Sequence, residues 1–297
     1  MCLAMSSLVT VIIPAFNRSN LIIDTLDSVR IQTYDSLEII VVDDGSTDTT
    51  NLVVTNWFSV HPYLKSLLIT LEHNYGKSYA VNKGMDKMRG DYVMVLDSDD
   101  VLFPQAIADE VEFLQRYQTT GAVFGNAYEL RDSVKTKIRH GVQFIHFNEF
   151  PNLNEIYGDL LLNGNAIIAS TVLMRTTEVR RVGYFSVTQR YVHDWDYWIR
   201  MTRYSSIGYV NKDIVYYRIN SIGSSSANIF GSFLESIDLI CATGKQYSIY
   251  DRLKAALWQM KYHAWLAYHN RKFMEMLKIF LIGLLIISKI FFGNHEQ

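Results

Sequence analysis

The stretch GDYVMVLDSDDVLFP, residues 90–104, decides the fold. Tyr92–Leu96 is a continuous apolar run with the signature of a strand buried on both faces, and three aspartates follow it at once. Carboxylates packed this closely repel one another unless a cation or hydrogen-bond donors compensate. Asp97 and Asp99 form a D-x-D pair, with Asp100 adjacent. Such oxygen ligands suit Mn2+ or Mg2+, which take one or two carboxylates and complete their shell with phosphate oxygens and water.

Working outward, the same pattern recurs. Leu8–Ile13, Leu37–Val42 and Ser66–Leu71 read as three further buried strands. Helical spacing over Asn20–Gln32, Asp48–Phe58 and Lys77–Met88 separates them. Strands alternating with helices predict an α/β fold, a Rossmann-like and mostly parallel sheet flanked by helices. Ligands of such sheets bind beyond the carboxyl ends of the strands, where Asp43 and Asp44 also stand. After Pro104 the pattern predicts a helix to Tyr117 and a strand over Ala122–Tyr128. Residues 129–165 are irregular and suit a lid or an acceptor-contacting insertion. A strand at Ser170–Met174, helices at Thr177–Val182 and Trp195–Tyr204, and two short strands at Ile207–Val210 and Ile214–Arg218 follow. The Ser/Gly-rich run Asn220–Asn228 marks a boundary, giving an α/β catalytic domain over 1–220 and a C-terminal helical extension over 221–297.

Composition narrows the functional classes. The chain has 297 residues, 49% hydrophobic and 20% charged, which excludes a disordered chain. A formal charge of −2 gives no electrostatic case for nucleic-acid binding. Cys2 and Cys241 make neither a disulfide framework nor a metal set, which suits a reducing compartment. Met1–Thr10 lacks the charged and small-residue marks of a signal peptide, so a cytoplasmic location is expected. The apolar run LKIFLIGLLIISKIFF, 277–292, would span about 24 Å as a helix, short of a roughly 30 Å hydrocarbon core. Lys278 and Lys289 fall about 20° apart on its wheel, close to Arg271, so 271–292 reads as an interfacial helix touching a membrane surface or packing on protein. Neither a P-loop nor a G-x-G-x-x-G fingerprint occurs, so a bound nucleotide must be held through a metal and side chains.

Five motifs in order, VTVIIPAFNR (9–18), VVDDGSTDTT (41–50), NYGKSYAVNKGM (74–85), GDYVMVLDSDDVLFP (90–104) and VGYFSVTQRYVHDWDYWIRM (182–201), together resemble a family 2 inverting glycosyltransferase of the GT-A fold. The resemblance covers about residues 8–220. It implies that Pro14, Ala15 and Asn17 form a first nucleotide-contacting loop, and that Asp44, beside Asp43, reads the base. Asn74, Gly76 and Lys77 would close over the nucleotide, with Ala80 and Asn82 in the helix behind. Asp97, Ser98 and Asp99, with Asp100, would hold the diphosphate through Mn2+ or Mg2+, and Asp194 would be the catalytic base. Two positions depart from the family pattern. His193 precedes Asp194 where the family commonly has Glu, and Tyr217-Arg218-Ile219-Asn220 replaces a Tyr-Arg-x-His-like sequence, leaving Arg218 as the expected diphosphate contact.

The implied reaction moves a sugar from a nucleoside-diphosphate sugar to a hydroxyl of a glycan or lipid-linked acceptor. The alternative is a non-catalytic, glycosyltransferase-like binding or assembly subunit. A nucleotidyltransferase would want glycines after the first strand, and residues 14–18 have none. Trp195 and Trp198 either stack on an acceptor sugar or pack their helix, and Asp196 is placed to orient Arg200 four residues on.

Overall fold

The computed structural model describes residues 7–131, 134–140, 153–219, 228–243 and 248–292. Its first part alternates β1 (Val9–Ala15), α1 (Ile22–Arg30), β2 (Leu37–Asp43), α2 (Thr50–Val60), β3 (Lys65–Thr70), α3 (Lys77–Met85) and β4 (Tyr92–Val95). There follow β5 (Val101–Leu102), α4 (Ala106–Arg116), β6 (Thr120–Arg131), β7 (Val134–His140), α5 (Leu153–Asn163), β8 (Val172–Arg175), α6 (Thr176–Val182), α7 (His193–Met201) and β9 (Ser206–Arg218). Helices α8 (Ile229–Thr243), α9 (Ile249–His269) and α10 (Phe273–Phe292) come last.

Among the described residues the nine strands form one sheet in the order β3-β2-β1-β4-β8-β6-β9-β5, with β7 paired to β6. The β1–β2, β2–β3, β1–β4 and β6–β9 pairs are parallel, whereas β8 runs antiparallel to both β4 and β6. The carboxyl ends of β1, β2, β4 and β9 therefore open on one edge of the sheet. Every residue of β1 and β4 is buried, because helices cover both faces. Pro14 lies inside β1, opposite Val42 in the register, rather than ending the strand.

Two expectations need correction. The two short strands near 207 and 214 are one strand, β9, whose middle is bulged against β6. Polar residues fill the bulge: the Tyr209 hydroxyl donates to Asn126 Oδ1 at 2.6 Å and the Tyr128 hydroxyl to Asp213 Oδ1 at 2.7 Å. The segment 129–165 is not wholly irregular, since it contains the end of β6, β7 and α5. In α5, Leu160 and Leu161 are fully buried and Tyr157 nearly so, at helical spacing. Residues 141–152, and the 220–227 part of the proposed boundary, lie outside the described residues.

The C-terminal helices have a core of their own, in which Ile229, Phe233, Ile237, Ala256, Met260 and Ile279 meet. Leu239, Ile240 and Ala255 instead join the core beneath α7, so α8 and α9 are fastened to the sheet domain.

Glu110 on α4 is fully buried, and among the described residues neither carboxyl oxygen has a partner within hydrogen-bond geometry, the Leu173 backbone offsetting only part of the effect of burial. Burial pushes its carboxyl well above the usual glutamate value of 4.5. A carboxyl raised in the folded state favours folding below the unfolded value, and that benefit is lost as pH rises towards the folded value. Glu110→Gln is therefore expected to raise stability at pH 7 by about 1–2 kcal/mol, with the gain vanishing near pH 4. Urea denaturation at several pH values checks it.

Candidate active site

The loops at the carboxyl edge hold one another through side chains the sequence motifs supply. Asn17 takes φ 53°, a left-handed conformation, directly after β1. Its Oδ1 accepts the Thr47 N–H at 2.9 Å, and its own N–H donates to Ser46 Oγ at 2.9 Å. The loops after β1 and β2 are thereby stitched together. Asp43 and Asp44 are both buried. Asp43 accepts from Ser46 N, and the two oxygens of Asp44 accept the backbone N–H groups of Tyr75 and Gly76, each at 2.8 Å. Burial raises the Asp44 carboxyl, and these two donors offset part of the rise. Gly45, at φ 70°, lets the two loops touch; a Cβ there would lie 2.4 Å from the His73 carbonyl carbon. Behind this loop the Asn82 carboxamide exchanges two hydrogen bonds with the Phe185 backbone, both at 2.9 Å.

The aspartates after β4 face different partners. Lys77 Nζ lies 2.5 Å from Asp97 Oδ1, and Arg18 Nε lies 3.6 Å from Asp99 Oδ2. Ser98 is buried. The Asp97 N–H bonds Ser170 Oγ. Asp100 points inward and is fully buried, with Oδ1 accepting the Arg218 N–H at 2.9 Å. Burial first, then the charges of Asp97 and Asp99, push the Asp100 carboxyl well above its usual range. Arg218 Nε donates to the Asp99 carbonyl, and its Nη2 pairs with Asp24 at 3.0 Å. Among the described residues no three acidic, His or Cys side chains converge as a metal set, and of the expected trio Asp97, Asp99 and Asp100 the last is turned to the Arg218 N–H. Asp97 and Asp99 remain as two part-exposed carboxylates, a donor set that fits a hard cation whose shell is completed by phosphate.

Asp194 stands in the first turn of α7. Its Oδ1 accepts the Trp195 N–H at 2.7 Å and its Oδ2 accepts Asn165 Nδ2 at 3.0 Å. The structure brings it into the field of the other cluster. Burial lowers the Lys77 ammonium's pKa, but Asp97 first and then Asp194 and Asp100 outweigh that and raise it. Tyr217 is raised by burial and then by Asp100, Asp97, Asp99 and Asp194 together. His193 is buried and lowered by that burial, with Asp194 opposing and Lys77 reinforcing the shift.

Trp195 and Trp198 are 2% and 1% exposed and pack α7, with Trp195 also reaching the wall of the cleft beside Asp194. Asp196 accepts from Arg200 Nε at 2.8 Å, and the guanidinium goes on to the Val182 and Tyr184 carbonyls. Sequence reasoning missed Arg18, Asn165 and Ser170, and above all Glu235 on α8. The Glu235 carboxylate accepts the backbone N–H groups of Arg190, Tyr191 and Val192 at 2.7–3.2 Å, fixing the segment that leads into α7. Only Arg18 had a local signal, since it closes the first motif.

Comparison with known proteins agrees with this geometry. The model of glycosyl transferase family 2 matches residues 10–174, more than half of the chain. The chain belongs to that family. An uncharacterized glycosyltransferase of Rickettsia prowazekii is 30% identical over 73% of this chain and 65% of its own length. The chain thus spans just under two-thirds of that curated relative, and 34% of a Rickettsia felis one. The Escherichia coli UDP-Glc:alpha-D-GlcNAc-diphosphoundecaprenol beta-1,3-glucosyltransferase WfaP is 30% identical over 80% of this chain and 87% of its own. Among solved structures, residues 1–349 of Staphylococcus aureus TarS in complex with UDP-GlcNAc superpose with TM-score 0.70 at 18% identity, covering 95% of this chain and 81% of that one. The Pyrobaculum calidifontis mannosyltransferase PcManGT, in complex with GDP-Man and Mn2+, gives 0.62 at 17% identity, covering 97% and 88%. The fold is the GT-A arrangement.

Asp44→Ala removes the acceptor of two loop N–H groups, a loss of about 1–3 kcal/mol. Amide exchange at Tyr75 and Gly76 is expected to accelerate while exchange in β1 stays slow.

Proposed function

We propose that this chain is an inverting, metal-dependent glycosyltransferase that moves a sugar from a nucleoside-diphosphate sugar to a hydroxyl of a lipid-linked glycan at a membrane surface. The observation that carries the reading is the convergence of two distant carboxylate groups on one lysine. Lys77 pairs with Asp97 after β4 and also feels Asp194 on α7. Donor and acceptor chemistry can then meet within one site.

Asp97 and Asp99 would hold the cation, which when bound supplies charge neutralisation at the diphosphate. The chain's own residues account for the rest. Asn74, Gly76 and Lys77 lie in the segment that Asp44 anchors, beside the loop of Pro14, Ala15 and Asn17 stitched to 46–48, and that pair of loops forms the nucleotide cradle. Lys77, Arg18 and Arg218 set positive charge around Asp97 and Asp99, where negative charge grows on the leaving group. Asp194 takes the acceptor proton. Its two hydrogen bonds fix the carboxylate and leave lone pairs for the incoming hydroxyl. The donors named for TarS and PcManGT, and the lipid-diphosphate acceptor named for WfaP, support the substrate classes.

Contact with a membrane rests on α10. Phe273, Leu277, Leu281, Leu284 and Leu285 are each at least half exposed along one side, with exposed Lys278 on its flank. Among the described residues no helix is long and apolar enough to cross a membrane. An exposed apolar face edged by a cation suits a helix lying in the interface. Peripheral attachment at the cytoplasmic face follows from this reading. The side chain of Lys289 lies outside the described residues.

Two experiments test the reading. With UDP-, dTDP- and GDP-sugars and Mn2+, Asp194→Asn is expected to lose at least about 100-fold in turnover while keeping nucleotide affinity. No nucleoside-diphosphate release by the unmutated chain with any donor defeats the enzymatic assignment. In flotation with anionic-lipid vesicles, Leu281→Asp with Leu284→Asp is expected to abolish co-migration, and unchanged co-migration removes α10 as the contact.

A further inference from the structure

On the side of Asp194 that faces the C-terminal helices lies a cleft of about 200 Å3. Asn165, Asp194, Ser232, Trp258, Gln259 and Tyr262 contribute to its wall. Four of these come from α8 and α9, beyond the part of the chain that the family model matches. Pockets for drug-sized ligands run to about 300–1,000 Å3, so this one is scaled to a single ring.

Its chemistry is specific. The rings of Trp258 and Tyr262 stack at 5.3 Å between centroids and 5° between planes, an offset aromatic stack in the cleft wall. Gln259 is 3% exposed, and its carboxamide nitrogen faces the turn at Gly164. Gly164, at φ 85°, brings the turn after α5 against this wall; a Cβ there would lie 2.9 Å from Trp258 and 3.0 Å from Gln259 Nε2. Asn165, next in the turn, holds Asp194. An aromatic face, a buried amide and a carboxylate around a one-ring space match a pyranose, whose apolar face stacks while its hydroxyls pair.

We propose that this cleft is the acceptor-sugar subsite, and that its occupant is the terminal sugar of a lipid-diphosphate-linked glycan. The inference rests on the glycosyltransferase reading and adds where the acceptor sits. The outer side of the Trp258–Tyr262 stack seats the sugar's apolar face, Gln259 pairs with a ring hydroxyl, and another hydroxyl meets Asp194. In the transfer, that hydroxyl oxygen bonds the donor's anomeric carbon as the bond from this carbon to the diphosphate oxygen breaks. The proton passes to Asp194, and the electron pair leaves with the nucleoside diphosphate.

The exposed apolar face of α10, which shares one core with α8 and α9, argues for a lipid tail. Trp258, Tyr262 and Trp265 follow at spacings of four and three, forming one line that rises about 10 Å along the helix. Trp265 is 56% exposed, and Lys261 stands exposed beside the line. The line runs on the face of α9 opposite Met260, Ala264 and Ala267, which share the C-terminal core with Ile279 of α10.

The test uses the full chain, the donor panel with Mn2+, and GlcNAc linked through diphosphate to a short polyprenyl chain as the acceptor probe. Transfer to the probe and donor hydrolysis by water are read separately. Trp258→Ala and Tyr262→Ala are each expected to raise the probe KM about tenfold, with donor hydrolysis and nucleotide affinity within about twofold of the unmutated chain. Trp258→Phe is expected to restore most of the loss. Tyr262 is 42% exposed, so its truncation leaves the fold intact, which the melting temperature verifies. Unchanged KM in both alanine variants overturns the assignment, as does donor hydrolysis without transfer to the probe. Failure of the unmutated chain to release nucleoside diphosphate from any donor overturns the glycosyltransferase reading instead, and this subsite with it.

Discussion

Three aspartates crowded at the end of a buried strand set the terms for the whole site. Such crowding is tolerable only where opposite charge and hydrogen-bond donors are supplied. The chain supplies them from three separate segments: Arg18 after β1, Lys77 at the start of α3 and Arg218 at the end of β9. Meeting that electrostatic demand draws the loops of one sheet edge together. Asp100 goes inward to the Arg218 N–H, while Asp97 and Asp99 stay at the cleft with cationic partners. The same balance favours an anionic ligand with its own cation, because the cationic side chains are already arranged around the position.

The second half of the site obeys a different constraint. Asp194 depends on backbone placement, which α8 governs through the three N–H groups held by Glu235. Asn165 then sets the orientation of the carboxylate. The C-terminal helices therefore belong to the architecture of the site, although the family model ends at residue 174.

Much of this was legible in the sequence. Parallel strands announce themselves as continuous apolar runs, and those of β1, β2 and β4 were read within a few residues of their bounds. The pairing of Asp196 with Arg200 followed from helical spacing alone. β9 was misread as two strands because Asn211, Lys212 and Asp213 interrupt its apolar pattern, and only the partner strand shows that they occupy a bulge. α5 was missed although its apolar residues are helically spaced, since Gly158 and flanking asparagines dilute the pattern. Glu235, Asn165 and the Trp258 cleft had no local signal at all. Their roles arise from contacts 29 to 45 positions apart, or from walls shared by several helices. Tryptophans 195 and 198 show the converse: chemically suggestive side chains next to Asp194 are buried in the core.

The Glu235 clasp bears on how such a molecule can be recombined. A carboxylate from one module saturating the peptide groups just ahead of another module's key helix makes the two inseparable as engineering parts. A chimera joined between 219 and 228 would inherit a donor half whose α7 approach had lost its anchor, unless the incoming helix carried an acid at the matching turn. Grafting is thus more promising within α9, downstream of that anchor, than between 219 and 228.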